Sequence, residues 1–535
     1  MALYERLHGM TIGSALLTRA TTDPAGVYLV DAGTQATLTF AEVDTQAEAL
    51  AASLASLGVG PGDRVALVLP ACPEFVVSVF AAAKLGAMVV PLNPMLPTSE
   101  LQYMLRHSEA VCTITIERYH DLDFIELFEE LMPQLPALRY LVTVGAEDLW
   151  YDDRIFQYED ILSAGAGRDF AATTPDASDR FALLYTSGTS GKPKGVELSH
   201  ANLLWGGAAS AEALDMTSVD RVVGITALFH VFGLASGLLG ALISGSSIVL
   251  QADGTASATL DTVERTGATV HFGIPTLFVQ ELAELASDVR DLSTLRLAVV
   301  AGAPVGDELI REISDAFGVP AVAGYSLTET SSMVSVSRPA DTDEKRRFTV
   351  GRPMGNTDVR IVDATDAGDG VLPVESVGEI RVRGPGVMVG YYRQPRETAE
   401  SHDADGFFRT GDLGLLDEEG FLHLVGRTKD VIIRSGFNVY PREVEARVGS
   451  HPAVHEVAVV GVADPLLGEA VCACVVPVEG AIVTDQELVQ WCRETLADEK
   501  LPDLVRFTDE LPRTDTGQVR RVALSRTVEA EGQSA

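Results

Sequence analysis

The chain has 535 residues, 46% hydrophobic and 22% charged, so it is long enough for at least two packed domains and lies outside the composition range of disordered proteins. Seventy-six acidic residues against 40 basic ones give a formal net charge of −36, which disfavours binding to nucleic acid or to an anionic membrane surface. A phosphate-bearing ligand must therefore be held by backbone amides or by a few directed basic side chains.

The N-terminus and the cysteines point to a cytoplasmic enzyme. The opening MALYERLHGM carries charged residues where a signal peptide needs an apolar stretch. The five cysteines follow no metal-binding or disulfide spacing. A stretch without Asp, Glu, Lys or Arg lies between Arg221 and Asp253, but its repeated Gly and Ser favour a buried helix leading into a core strand over a membrane span.

Apolar runs such as RVALVLP, AVCTITI and LRLAVVAGA alternate with Ala/Leu-rich helical stretches, which predicts an α/β fold with largely parallel sheets. From about residue 350, short strands and frequent turns predict a small β-rich subdomain. A new α/β pattern begins after Gly426. We therefore predict one domain over residues 1–428 and a second over residues 429–535.

The densest motif is LLYTSGTSGKPKGVELSH, residues 183–200, in which an apolar strand opens into a run of Thr, Ser and Gly. Such a loop presents hydroxyls and unhindered backbone N–H groups to a polyphosphate, with Lys192 and Lys194 as mobile charges. It lacks the GxxxxGK[ST] pattern of a Walker A loop. Taken alone, it is also compatible with a flexible turn.

The string TSGTSGKPKG resembles the phosphate loop of the adenylate-forming (ANL) superfamily, which includes acyl-CoA synthetases, peptide-synthetase adenylation domains and beetle luciferases. Five further motifs of that superfamily follow in order: ALFHVFGL (227–234), AGYSLTE (323–329), GFFRTGDLG (406–414), GRTKDVIIRSGFNVYPREVE (426–445) and LPRTDTGQVRR (511–521). The resemblance covers essentially the whole chain. It implies a large N-terminal domain of two stacked α/β sheets plus a distorted β-barrel, and a small, mobile C-terminal α/β domain.

The resemblance also assigns the nucleotide-binding residues. The β- and γ-phosphates of ATP would be cradled by Thr186, Ser187, Gly188, Thr189 and Lys194. Thr328 would contact the α-phosphate and Glu329 would hold Mg²⁺, for which one carboxylate suffices. Adenine would lie on Tyr325, and Asp412 would accept the ribose hydroxyls with Arg427 nearby. Without these motifs, each of the three side chains would have an ordinary structural interpretation. Glu329 would be an acid at a helix start, Tyr325 a core aromatic residue and Asp412 a turn aspartate.

The same resemblance places His230 at the mouth of the acyl pocket, although a lone histidine among apolar residues is otherwise typical of a core side chain. Other residues expected to line this pocket are Phe232, Gly302, Gly324 and Met333. Lys429 falls on the superfamily's hinge position. Gly436 matches the small-residue site beside which the pantetheine arm of CoA reaches the acyl-adenylate. The small residues of WGGAASAEAL, from Trp205, suggest room for a bulky apolar acid.

The pattern breaks at residue 518, where the superfamily's lysine is replaced by Gln518. That lysine bridges the substrate carboxylate and the α-phosphate during adenylation, and glutamine carries no charge. Thioester formation uses the other pose of the C-terminal domain, in which this loop is turned away. The sequence therefore predicts an acyl-CoA ligase with weak adenylation, acting on an acyl-adenylate supplied by a separate enzyme.

Two alternatives remain at this stage. The first is a complete ATP-dependent acyl-CoA synthetase in which the loss of the lysine is compensated, Lys500 being the nearest other lysine. The second is a non-catalytic protein that binds adenylates or CoA. The intact phosphate loop, Glu329 and Asp412 argue against the second alternative. Loading of a separate carrier protein is a further variant of the ligase reaction.

Overall fold

The computed structural model describes residues 3–147, 152–170, 175–186, 193–225, 227–363, 370–513 and 519–532. The chain divides into two compact units. The first comprises Met1–Asp358 and Arg383–His402, and the second comprises Val359–Val382 and Asp403–Ala535. The domain boundary expected at residues 428/429 lies inside the second unit, so a hinge at that point stays a prediction.

The α-helices of the described residues are α1 (Ile12–Thr22), α2 (Phe40–Ser56), α3 (Pro73–Leu85), α4 (Thr98–Ser108), α5 (Phe124–Leu131), α6 (Tyr158–Gly165), α7 (His200–Ala213), α8 (Gly240–Ser244), α9 (Ala256–Thr266), α10 (Pro275–Leu285), α11 (Asp307–Phe317), α12 (Asp343–Phe348), α13 (Pro395–Glu400), α14 (Pro441–Gly449), α15 (Asp485–Arg493) and α16 (Arg521–Gly532). Short 3₁₀ turns cover Leu3–Leu7, Met132–Gln134, Thr328–Thr330, Thr428–Asp430 and Asp498–Lys500. A π-helix covers Phe232–Leu239.

The strands of the described residues are β1 (Val27–Asp31), β2 (Thr37–Thr39), β3 (Arg64–Val68), β4 (Met88–Pro91), β5 (Cys112–Ile116), β6 (Arg118–Tyr119), β7 (Leu122–Asp123), β8 (Tyr140–Val144), β9 (Ile155–Gln157), β10 (Arg180–Thr186), β11 (Lys194–Ser199), β12 (Arg221–Val223), β13 (Ser247–Leu250), β14 (Val270–Gly273), β15 (Leu297–Val300), β16 (Ala321–Leu327), β17 (Ser332–Val336), β18 (Arg352–Pro353), β19 (Asp358–Val362), β20 (Gly378–Arg383), β21 (Gly390–Tyr391), β22 (Phe408–Leu416), β23 (Leu422–Arg427), β24 (Ile432–Arg434), β25 (Phe437–Val439), β26 (Val454–Asp464), β27 (Gly468–Pro477) and β28 (Leu504–Phe507).

Two large sheets organise the described part of the first unit. One has the order β18-β17-β16-β15-β14-β12-β13-β1-β2 and is parallel from β16 to β1. The other has the order β21-β11-β10-β4-β3-β5-β8-β9 and is parallel from β10 to β9. In open parallel sheets, ligands bind beyond the carboxyl ends of the strands. Thr186 ends β10 at such an edge, and the turn Thr328–Thr330 follows β16.

Helix α7 connects the two sheets, since it packs against β10 and β11 of one and β17 of the other. The Ser199 side chain accepts from the N–H of Asn202 and the Asn202 side chain accepts from the N–H of Ser199, a capping box that starts the helix directly after β11. The position of α7 relative to β11 is therefore fixed by local sequence.

The second unit contains two further sheets within the described residues. One has the order β19-β20-β22-β23, with antiparallel pairing of β20 to β22 and of β22 to β23. The other is built on the long antiparallel pair of β26 and β27, with β24 and β25 on one side and β28 parallel to β27. Its core consists of buried aliphatic side chains such as Val459, Val471 and Val475, as continuous β-branched runs predict.

The uncharged segment between Arg221 and Asp253 forms a buried π-helix, the short helix α8 and the fully buried strand β13. The prediction of a buried helix leading into a core strand is therefore confirmed. In the part of the chain that the structure describes, no helix is long and apolar enough to cross a lipid bilayer.

Candidate active site

The phosphate-loop motif connects two strands that pair with each other. Strands β10 and β11 are antiparallel, and their register places Thr186 opposite Lys194. The chain therefore leaves and re-enters the sheet at a single point. Of the remaining residues assigned to the phosphates, Ser187, Gly188 and Thr189 lie outside the described residues.

The turn that carries Thr328 and Glu329 follows β16 directly and is a 3₁₀ turn. The next two residues, Ser331 and Ser332, both have left-handed backbone angles, with φ of 56° and 105°. Such conformations cost residues other than glycine about 1–3 kcal/mol each and persist only where the surroundings hold them. Here the Ser331 hydroxyl donates to the carbonyl of Gly386 over 2.7 Å.

The Glu329 carboxylate has a tyrosine partner from a distant part of the chain. The Tyr391 hydroxyl donates to Glu329 Oε1 over 2.9 Å, and the backbone N–H of Met388 donates to the Glu329 carbonyl over 2.8 Å. The Lys194 ammonium lies 4.7 Å from the centre of the Tyr391 ring. Burial, together with the neighbouring Glu329 carboxylate, raises the pKa of Tyr391, so the hydroxyl is protonated at neutral pH.

These surroundings fit a singly ligated Mg²⁺ at Glu329. Glu329 is half-buried and has one oxygen bound by a neutral donor. Among the described residues, no three His, Cys, Asp or Glu side chains converge as a metal cage. A cation that takes most of its ligands from water and phosphate needs no such cage.

The residues assigned to adenine and to the acyl pocket meet at the carboxyl edge of the parallel strands. Val300 of β15 pairs with Ala323 of β16, so Gly302 and Tyr325 both lie two residues beyond this pair. A methyl group added to Gly324 would lie 3.1 Å from the sulfur of Met333. The structure thus brings together these four of the residues that the resemblance assigned.

His230 closes the turn before the π-helix: its N–H donates to the Ala227 carbonyl, and its own carbonyl accepts from the N–H of Leu234. Its side chain keeps a partial opening to solvent, yet desolvation by the surrounding protein lowers its pKa to about 4. The imidazole is therefore neutral at physiological pH. The nearby Phe232 ring packs against Phe272, with 5.3 Å between ring centroids.

The small residues of α7 serve close packing. A Cβ on Gly206 would lie 2.1 Å from the carbonyl oxygen of Ser331, and a Cβ on Gly207 would lie 3.0 Å from Leu239. These glycines let α7 approach the Glu329 turn and the π-helix. The sequence suggested that these small residues leave room for a bulky acyl group. In the structure, Gly206 and Gly207 face close neighbours instead, so they do not by themselves indicate such room.

In the second unit, Asp412 and Arg427 lie opposite each other in the β22–β23 hairpin. The Arg427 Nε donates to Asp412 Oδ1 over 3.1 Å, and Asp412 is only 8% exposed. One carboxylate oxygen of Asp412 is thus held by the arginine, and an ionised carboxylate can accept several hydrogen bonds at once.

The remaining predicted residues of the second unit follow this hairpin. Lys429 lies in the 3₁₀ turn Thr428–Asp430 between β23 and β24. Gly436 has φ of +84°, and a Cβ added to it would meet no atom within 4 Å. Its turn therefore has free space beside the backbone. Gln518 lies outside the described residues.

The AMP-binding enzyme family model matches residues 16–392, and the model of its C-terminal domain matches residues 443–518. The chain belongs to the AMP-binding enzyme family. Its relatives place it in the acyl-CoA ligase branch, and the adenylate-forming resemblance and the predicted fold class are confirmed. A feruloyl-CoA synthase from Amycolatopsis is 36% identical to the ligase over 509 residues, covering 95% of this chain and 97% of the relative.

Solved structures agree over nearly the full length of the ligase. ATP-bound MatB from Rhodopseudomonas palustris has a TM-score of 0.86 at 30% identity, covering 97% of this chain and 99% of that one. The anthranilate CoA ligase AuaEII in complex with anthranoyl-AMP has a TM-score of 0.87 at 26% identity, covering 98% of both chains.

Sequence reasoning missed Tyr391 in the ligase's candidate site and the pairing of Arg521 within the second unit. Tyr391 is separated from Glu329 by 62 positions, and its segment VGYY showed only turn and strand character. Arg521 donates to the Glu445 carboxylate through Nη1 and Nη2, and Nη1 also donates to the Val459 carbonyl. The doubled arginine of LPRTDTGQVRR could have drawn attention to Arg521, because arginine favours bidentate pairing with carboxylates.

Proposed function

We propose that this acyl-CoA ligase forms an acyl-CoA thioester from an acyl-adenylate and CoA, and that its ATP-dependent adenylation half-reaction is weak. The observation that carries the proposal is Gln518 in a motif that is otherwise intact. Similar structures contain ATP or an acyl-adenylate, which supports an adenylate site on this chain.

Thr186, Lys194 and the loop between them are proposed to bind the phosphates of ATP. Tyr325 is proposed to contact adenine, Thr328 the α-phosphate, and Asp412 with Arg427 the ribose. Glu329 would hold Mg²⁺, which when bound neutralises phosphate charge during adenylation. The Asp412–Arg427 contact and the position of Tyr391 against Glu329 support these assignments.

Gln518 would impair adenylation because it cannot supply the positive charge that this step needs between the carboxylate and the α-phosphate. Loss of one directed donor at such a position costs about 10²–10³ in rate. Lys500 is the single lysine after Lys429 in the sequence, and its ammonium is held by Glu443 over 2.7 Å. This ion pair argues against Lys500 as a replacement.

Two arginines near the altered motif also have carboxylate partners. Arg513 pairs with Glu456, and Arg521 pairs with Glu445. Burial acts to lower the pKa of Arg521, but the hydrogen bonds that its guanidinium donates to the Glu445 carboxylate offset burial and leave that pKa raised. These charges hold the frame around the altered loop. Their ion pairs argue against either arginine as a replacement for the missing lysine.

The thioester half-reaction does not require a charged side chain at residue 518. The thiol sulfur attacks the acyl carbonyl carbon, a C–S bond forms, and the C–O bond to AMP breaks with its electron pair leaving on the phosphate. The thiol proton passes to solvent. Neutral His230 can donate one N–H to the carbonyl oxygen as negative charge develops there. The open space beside Gly436 would admit the pantetheine arm.

The test measures the two half-reactions separately with one panel of acids: ferulic, anthranilic and octanoic acid, and their synthetic adenylates. Acyl-CoA formation from acyl-AMP and CoA should be at least about 100-fold faster than from acid, ATP and CoA. Equal rates would show a complete ATP-dependent synthetase, the alternative that the ATP-bound relatives favour. Tight binding of an adenylate without transfer to CoA would favour a non-catalytic binding protein.

A further inference from the structure

Residues 385–392, which we name the brace segment, connect the two parts of the first unit that carry the proposed phosphate-binding groups. The segment lies in the first unit although its flanking sequence, Val359–Val382 and Asp403–Ala535, belongs to the second. It ends in β21, which pairs with β11 so that Tyr391 lies opposite Val196. The chain thus returns to the exit of the phosphate loop.

On one side the brace segment holds the Glu329 turn at three points. The Gly386 carbonyl accepts from the Ser331 hydroxyl, the Met388 N–H donates to the Glu329 carbonyl, and the Tyr391 hydroxyl donates to the Glu329 carboxylate. The first two contacts fix the backbone of the turn. The third contact fixes one oxygen of the carboxylate and thereby sets the orientation of the whole group.

On the other side the brace segment holds β11 and the start of α7. The Val389 N–H donates to the Glu197 carbonyl over 2.9 Å, and the Tyr392 N–H donates to the Gly195 carbonyl over 2.8 Å. The Asn202 side-chain amide donates to two carbonyls of the segment. The phosphate-loop exit is therefore tied to the Glu329 turn through this one stretch of chain.

The Tyr391 side chain contacts both charged groups across this connection. Its hydroxyl lies 2.9 Å from Glu329 Oε1, and its ring centre lies 4.7 Å from the Lys194 ammonium. Tyr391 is 8% exposed, and its backbone is held by the pairing with β11. A neutral aromatic side chain with a polar tip can serve as partner to a cation on its face and to an anion at its hydroxyl.

We propose that Tyr391 is a positioning residue that sets the Glu329 carboxylate and the Lys194 ammonium for a magnesium-bound triphosphate. The hydroxyl orients the carboxylate towards the metal, and the ring keeps the ammonium beside the carboxylate. The inference rests on the proposed function, because it takes Glu329 as the magnesium ligand and Lys194 as a phosphate ligand.

The experiment measures ATP binding by isothermal titration calorimetry over a range of Mg²⁺ concentrations, and in EDTA. Tyr391→Phe removes the hydroxyl alone, and the Mg²⁺ concentration for half-maximal ATP binding should rise about 10-fold, the lower end of the effect of losing a partner of a metal ligand. Affinity in EDTA should stay unchanged in this variant. Tyr391→Leu also removes the ring, and should weaken ATP binding several-fold in EDTA as well, since the cation contact is lost.

A double-mutant comparison separates positioning from general damage. In a Glu329→Gln background, Tyr391→Phe should have no further effect on Mg²⁺ dependence, because the hydroxyl acts through the carboxylate. Tyr392→Phe removes the hydroxyl of the next tyrosine and is the matched control. Its ATP binding should depend on the Mg²⁺ concentration as that of the unmodified protein does. Thermal midpoints of all variants show whether they fold.

The outcomes distinguish the two proposals. If the unmodified protein binds ATP with Mg²⁺ and Tyr391→Phe shifts the Mg²⁺ dependence by less than about twofold, the positioning role is overturned and the proposed function stands. A shift that persists undiminished in the Glu329→Gln background overturns the role in the same way. Failure of the unmodified protein to bind ATP at any Mg²⁺ concentration overturns the ATP site and the positioning role together.

Discussion

The Lys500 ammonium forms a 2.7 Å ion pair with Glu443, which binds the last lysine of the chain to the first turn of α14. Lys500→Ala should therefore leave the rate of ATP-dependent adenylation within about twofold of the unmodified protein. The pair is partly exposed, so its loss should cost no more than about 1 kcal/mol of stability. Pyrophosphate release from ATP and acid is the measurement. A fall of tenfold or more would show that Lys500 replaces the missing lysine, since that is about 1.4 kcal/mol of transition-state stabilisation.

Gln518→Lys should restore part of the adenylation half-reaction. The added ammonium can neutralise charge between the carboxylate and the α-phosphate, so pyrophosphate release should rise at least about tenfold. Gln518→Met, of similar length but uncharged, should fail to produce this gain. Transfer from acyl-AMP to CoA should change little with lysine at this position. No gain from the lysine would mean that another feature limits adenylation.

Lys429→Pro tests the hinge proposed in the turn Thr428–Asp430. Proline fixes its own φ and disfavours the helical region for the preceding Thr428, so rotation about this turn should be blocked. Transfer to CoA should fall at least about tenfold while acyl-AMP affinity is retained, because domain rotation commonly limits such steps. Lys429→Ala, which removes the charge without fixing φ, is the control. Equal transfer rates in the two variants would rule out a hinge at this residue.

Gly436→Trp tests the proposed path of the pantetheine arm. The backbone there has φ of +84°, so any side chain adds strain, but a Cβ meets no atom within 4 Å. Gly436→Ala carries the same strain without the bulk. The tryptophan variant should transfer to CoA at least about tenfold more slowly than the alanine variant, with equal acyl-AMP affinity. Similar transfer rates would place CoA elsewhere.

His200 should make the stability of the ligase depend on pH. Its side chain is 1% exposed, Nδ1 accepts from the Ile12 N–H over 3.3 Å, and burial lowers its pKa to about 4. Between its ordinary value of 6.5 and about 4, only the unfolded chain takes up a proton, so stability is lost as the pH falls through this range. The loss reaches about 3 kcal/mol at the lower end.

The check is the thermal midpoint by calorimetry from pH 7 to pH 4. His200→Asn keeps an acceptor near the position of Nδ1 but cannot be protonated, so its midpoint should fall less steeply over this range. If the thermal midpoints of the two proteins fall in parallel with pH, protonation of His200 does not cause the loss of stability.

Local sequence was enough to place the chain in its family, because most of the family's recognition residues lie in short loops directly after strands. The ends of the phosphate loop, Thr186 and Lys194, meet through a simple hairpin, and Asp412 meets Arg427 in another. Such contacts follow from strand register over a few residues. The loss of a lysine at Gln518 was likewise visible without any structure.

Only the tertiary structure decided which distant segments meet. Tyr391 reaches Glu329 because β21 pairs with β11, a contact across almost 200 positions that no local pattern encodes. The division into units follows the same cause. Composition changes near residue 427, yet residues 359–382 and 403–427 group with the later chain. Strand β20 pairs with β22 and β22 with β23, and β23 in turn contacts α14. The spacing of hydrophobic residues and the turn residues determine which segments form helices and strands. Which strands pair with each other depends on burial across the whole fold.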